Sequence, residues 1–103
     1  MNQFLLEREG AKVKVILVAE LTSAVVPELR ELLCAVEEDG VREVVLDCAK
    51  TMLVDSAGLS LLLAARNSFS QPPRILRLVG VQPSLFSVLE TLRLHRYLNA
   101  QME

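Results

Sequence analysis

The segment Leu53-Val54-Asp55-Ser56-Ala57-Gly58-Leu59 sets an acid and a hydroxyl ahead of a small Ala-Gly pair. It stands between the strand-like run Val44-Val45-Leu46 and a Leu/Ala-rich stretch of helical character. In an alternating α/β chain that is the carboxyl edge of a strand opening into a helix N-terminus, a common location for ligand and partner contacts. Small neighbours leave the Ser56 hydroxyl uncovered, so it can be presented to a partner. Each residue also has a plain structural reading. Asp55 or Ser56 can cap the following helix, which contributes on the order of 1 kcal/mol, and Gly58 can let helix and sheet approach closely.

Nucleophilic chemistry at Ser56 would need a base and a sharp turn. The nucleophile-elbow pattern asks for Gly both two residues before and two after the serine; Val54 stands in the earlier place. The one histidine, His95, lies among Arg93, Arg96 and Tyr97 beyond the last helical stretch and reads as a surface or helix-end residue. Glu37-Glu38-Asp39 reads as the solvated end of a helix, and Glu7 and Glu9 flank a turn. Cys34 and Cys48 show no CxxC spacing and have a single histidine to complete a metal set, so both are expected to be buried free thiols. With no GxGxxG and no Walker-type loop, no catalytic residues, no metal and no cofactor are expected.

The elements that must position this segment follow from periodicity. Val13 to Ala19 is β-branched and apolar and predicts a central strand, paired across the Arg8-Glu9-Gly10 turn with an edge strand from Phe4 to Glu7. Thr22 and Ser23 offer N-cap hydroxyls to a helix whose stripe is Val25, Leu29, Leu32, Leu33 and Val36, with Pro27 in its first turn and an end near Gly40. Val44 to Cys48 predicts a strand, Gly58 to Phe69 a helix, and Ile75 to Val79 a further strand after the Pro72-Pro73 break. Gln82-Pro83 opens a last helix with Leu85, Phe86, Val88, Leu89 and Leu92 as its buried stripe. The expected fold is α/β: a single domain over residues 1–103, with a mixed, largely parallel sheet of about four strands flanked by helices and right-handed crossovers.

The 103 residues are 51% hydrophobic with no Trp, which supports one core built of Leu, Val, Ile and Ala. Eleven basic against 13 acidic residues leave a net charge of −2, which argues against nucleic acid or an anionic membrane as the main partner. Glu7, Arg8 and Glu9 interrupt the apolar start at once, so neither a signal peptide nor membrane insertion is expected and the protein is expected in the cytoplasm.

Met52 to Leu59, with Val44 to Asp47 before it and Leu61 to Ala65 after it, resembles the STAS domain family of anti-sigma-factor antagonists and sulfate-transporter tails. The likeness runs from about Phe4 to Leu98. Val81-Gln82-Pro83 is similar to the opening of the family's last helix, and Ala19-Glu20-Leu21 to its glycine-glutamate-leucine turn. The resemblance implies that Ser56 is a phosphorylation switch, modified by a serine protein kinase that is itself an anti-sigma factor and restored by a cognate phosphatase. Asp55, Ser56, Ala57, Gly58 and Thr22 would contact that partner. Ala57 occupies a position where many members carry a second hydroxyl, and Thr22 one where many antagonists carry an acid. The implied protein is a monomeric, non-catalytic partner switch. The alternatives are a constitutive accessory subunit of a lipid-type ABC transporter and a small-ligand sensor module.

Overall fold

The computed structural model describes residues 4–18, 20–69 and 74–102. Ala19 and Pro72-Pro73, on which parts of the sequence reading fall, lie outside the described residues. Along the chain come β1 (Phe4–Glu9), β2 (Lys12–Leu17), α1 (Val26–Glu38), β3 (Glu43–Asp47), α2 (Ser56–Ser68), β4 (Ile75–Val81), α3 (Pro83–Thr91) and β5 (Ala100–Met102). The sheet order is β1-β2-β3-β4-β5. β1 is antiparallel to β2 in a hairpin turned at Gly10, φ 62°, and the other pairs are parallel. The largely parallel α/β sheet is therefore as expected, with a fifth strand added. That strand has three residues and no β-branched side chain, so it carries little pattern of its own.

Period-two alternation decides which face is buried. Val13, Val15 and Leu17 of β2, Val44 and Leu46 of β3 and Leu76 and Leu78 of β4 join the helices in one core. Val45 is buried yet stands apart from that core. It lies on the other face, in register with Lys14 on one side and Arg77 on the other. The long stems of those two residues cover it, while their heads pair with Asp47 at 3.5 Å and Glu43 at 3.0 Å. At this exposure each pair contributes under about 1 kcal/mol.

The helices differ from expectation in three particulars. The N-cap of α1 is Val25, which offers no side-chain acceptor. The Thr22 carbonyl, rather than a Thr22 or Ser23 hydroxyl, accepts from Val25 and Val26 N–H. Cys34 is exposed, because the buried stripe of α1 is Val26, Leu29, Leu33 and Val36 and Cys34 sits beside it. On α3, Leu85 and Leu89 are buried, but Val88 and Leu92 are 51% and 50% exposed. Those two form a second stripe rotated by about 60° from the first, and a nine-residue helix on one sheet buries only one.

α1 and α3 end in the same way. At α1, Gly40 N–H donates to Glu37 and Val41 N–H to Val36, with Gly40 at φ 76°. At α3, Arg93 N–H donates to Glu90 and Leu94 N–H to Leu89, with Arg93 at φ 60°. This 5→2, 6→1 pattern is the Schellman motif, whose left-handed residue is usually Gly.

Candidate functional site

Two loops meet at the carboxyl edge of β2 and β3. The β2–α1 loop contributes Leu21, which bridges Val54 in parallel register. Leu21 N–H donates to the Leu53 carbonyl at 2.9 Å, and Asp55 N–H donates to the Leu21 carbonyl at 3.1 Å. The segment entering α2 is thereby fixed against the segment entering α1 before any side chain is considered.

Asp55 adds the side-chain tie. It is the N-cap of α2 in extended geometry, and one carboxylate oxygen accepts from Gly58 N–H at 2.8 Å. The other accepts from Ser23 N–H at 3.0 Å. These donors, Gly58 first and then Ser23, hold the Asp55 carboxyl below its ordinary value, because hydrogen bonds to the charged form favour it. One carboxylate thus caps α2 and clamps the loop into α1.

The next three residues are graded in exposure. Ser56 is exposed at the first position of α2, Ala57 is half-buried and Gly58 is buried. A Cβ at Gly58 would collide with the Leu21 carbonyl oxygen and lie 2.9 Å from Leu21 Cγ. Gly58 is therefore what allows the Leu21 bridge to sit over the first turn of α2. Leu59 is half-buried and packs on the core.

The structure brings Asp55, Ser56, Ala57 and Gly58 together with half-buried Thr22, which lies between two residues that hydrogen-bond to Asp55. It adds roles that pattern reading did not assign: Ser23 as a backbone donor to Asp55, Leu21 as the strut, and Met52 and Leu53 as exposed apolar neighbours of the site, 62% and 54% exposed. Two consecutive apolar residues beyond the end of a strand were the available signal for Met52 and Leu53. The Asp55 carboxylate accepts from two backbone amides, and its lowered pKa makes it a weaker base. His95 packs edge-on against Phe86 with ring centroids 5.7 Å apart. Ser56 itself presents an exposed hydroxyl at a helix N-terminus.

Solved structures share this fold. A Thermotoga maritima protein provisionally described as an anti-sigma factor antagonist superposes with TM-score 0.88 at 17% identity, covering 97% of this chain and 86% of that one. The phosphorylated form of the Bacillus cell-fate determinant SpoIIAA gives 0.76 at 20% identity, over 96% and 88%. A sulfate transporter family protein from Wolinella succinogenes gives 0.78 at 18% identity, over 92% and 80%. No curated protein sequence matches significantly. A family model described as "Mlab, STAS domain" matches residues 4–100, a span that takes in every element from β1 through α3 and both loops of the clamp, and the chain belongs to the STAS domain family.

Proposed function

We propose that this protein is a cytoplasmic anti-sigma-factor antagonist acting by partner switching. With Ser56 unmodified it binds an anti-sigma factor that is also a serine kinase, releasing what that factor holds captive. Phosphorylation of Ser56 ends the complex and a phosphatase restores it. The observation that carries this reading is the placement of Ser56: an exposed hydroxyl at the start of α2, beside small residues and on a backbone fixed by the Asp55 clamp. Ala57 leaves no second hydroxyl next to it. The likeness to SpoIIAA in its phosphorylated form supports the same reading.

The physics of the switch is local. A phosphate adds about −1.5 to −2 charge, which the N-terminus of α2 accommodates through its dipole. Against a partner the same group would be desolvated beside Asp55, so the complex is opposed while the fold is kept. Ser56→Asp is expected to leave the melting temperature nearly unchanged and to weaken capture of the kinase. Ser56→Ala is expected to bind it and resist phosphorylation. Capture by Ser56→Asp equal to that by the parent chain would sink the reading.

A second reading is favoured by the likeness to the sulfate transporter family protein, which carries the same fold in a transporter setting. In it the chain is a constitutive accessory subunit of a lipid-type ABC transporter and the same pole is a fixed interface. Incubation with the captured partner and ATP separates the two: phosphate on Ser56 supports switching, and a stable complex without phosphate transfer supports the subunit.

A further inference from the structure

The endings of α1 and α3 pose a contrast that folding alone does not explain. Both are Schellman motifs, and α1 uses Gly40 at its left-handed position, as backbone energetics favour. α3 places Arg93 there at φ 60°. A cation does interact well with a helix C-terminus, yet the last turn of α3 carries no basic residue, and a cation in that turn would give the same benefit without a left-handed backbone. A strained side chain points to a use outside the fold.

The surroundings of Arg93 bear on what that use is. Arg93 and Arg96 are exposed in the α3–β5 loop. Arg66, in the last turn of α2, lies 4.7 Å over the Tyr97 ring and donates to the Tyr97 carbonyl at 2.8 Å. Val88, Leu92 and Tyr97 are 51%, 50% and 40% exposed. Among the described residues Arg8, Lys14, Arg74 and Arg77 pair with carboxylates; of the seven basic residues that do not, Arg66, Arg93 and Arg96 belong to this end and Lys12, Arg30, Arg42 and Lys50 lie elsewhere along the chain. On a chain of net charge −2, this end thus carries three guanidinium groups without a carboxylate partner, one of them already stacked on Tyr97, beside two exposed aliphatic side chains.

We infer that this end is a second docking surface, for an acidic protein segment that also carries apolar side chains. An anionic bilayer fits less well, because recognition there takes clusters of about 4–8 Lys or Arg and the surface has three. Arg and Tyr held in a fixed turn are the residue types that dominate protein–protein affinity. The surface is separate from the switch. Arg66 follows Ser56 by ten residues on the same helix, about 15 Å along its axis, so two partners could be held at once, and the inference does not depend on phosphorylation of Ser56.

The test uses the full chain and a fluorescent peptide of alternating Glu and Leu, with its Gln-for-Glu counterpart and vesicles of phosphatidylcholine and phosphatidylglycerol as the other arms. Saturable binding of the Glu peptide is expected, weakened by salt and weaker by at least about tenfold in the Arg93→Gly, Arg96→Ser double variant. Arg93→Gly alone is expected to keep or raise the melting temperature, since glycine relieves the left-handed backbone. Should the double variant fail to fold, Arg66→Gln provides the same affinity reading. Absence of saturable binding, equal binding of the Gln peptide, equal affinity in the variants, or tighter binding to the anionic vesicles overturns the inference.

Discussion

Asp55 makes two ties with one side chain, and its titration therefore reports on both. Its folded pKa is depressed, chiefly by Gly58 N–H and then by Ser23 N–H, so its contribution to stability is complete above the ordinary value of 3.8 and is lost as pH falls through the folded pKa. Asp55→Asn is expected to lower the melting temperature at neutral pH and to flatten its fall on the acid side; thermal scans from neutral to acidic pH check this, and parallel acid limbs for the two proteins would contradict it. Gly58 is the other residue on which the site turns. Ala in place of Gly in a helix interior ordinarily gains up to about 1 kcal/mol, but here the added methyl meets the Leu21 carbonyl. Gly58→Ala is expected to destabilise by about 1–3 kcal/mol, measured by urea unfolding, and a stabilised variant would show that the Leu21 strut yields freely. Asp55 as a cap and Gly58 as a point of close approach were legible in the sequence because both are local effects of residue type. The tie to Ser23 was not, since it joins residues 32 apart and no local pattern encodes that pairing.

Helices and strands were legible where periodicity was strong and hid where a stripe was ambiguous. The apolar residues of α3 fit two adjacent stripes, and only the packing of Leu85 and Leu89 on the sheet chooses between them. Cys34 shows the same limit on α1: it neighbours Leu33 in sequence but faces out, lining a groove of about 210 Å³ between α1 and α2 with Leu33, Leu61 and Phe69. Cys48, just past β3, is buried, and burial with the adjacent Asp47 pushes its thiol up to about 12. Native protein is accordingly expected to show one fast thiol, Cys34, and one that reacts only on unfolding, Cys48. Mass-spectrometric mapping of the labelled cysteine decides it, and rapid native labelling at Cys48 would refute the burial. Because the raised pKa favours the neutral thiol in the fold, that contribution is complete below 9.0 and is lost as pH rises from there toward about 12. Cys48→Ala is expected to flatten the alkaline decline in stability.

At the scale of the whole molecule, alternation of strand and helix was enough to give a largely parallel sheet, and only the short β5 escaped it. The edges differ in how they are closed. β1 ends in Glu7-Arg8-Glu9, and β5 is three residues long, two devices that discourage further strands from adding to a sheet. The clamp and the basic end occupy opposite ends of α2, so the helix separates the proposed switch from the inferred docking surface. Sheet order equal to chain order has a bearing on synthesis. As the chain leaves the ribosome, each new strand joins the growing edge of the sheet and none has to insert between two already paired. Every strand and loop that touches the Asp55 clamp precedes residue 69, so the switch region can assemble while β4, α3 and the arginine-bearing loop are still being made.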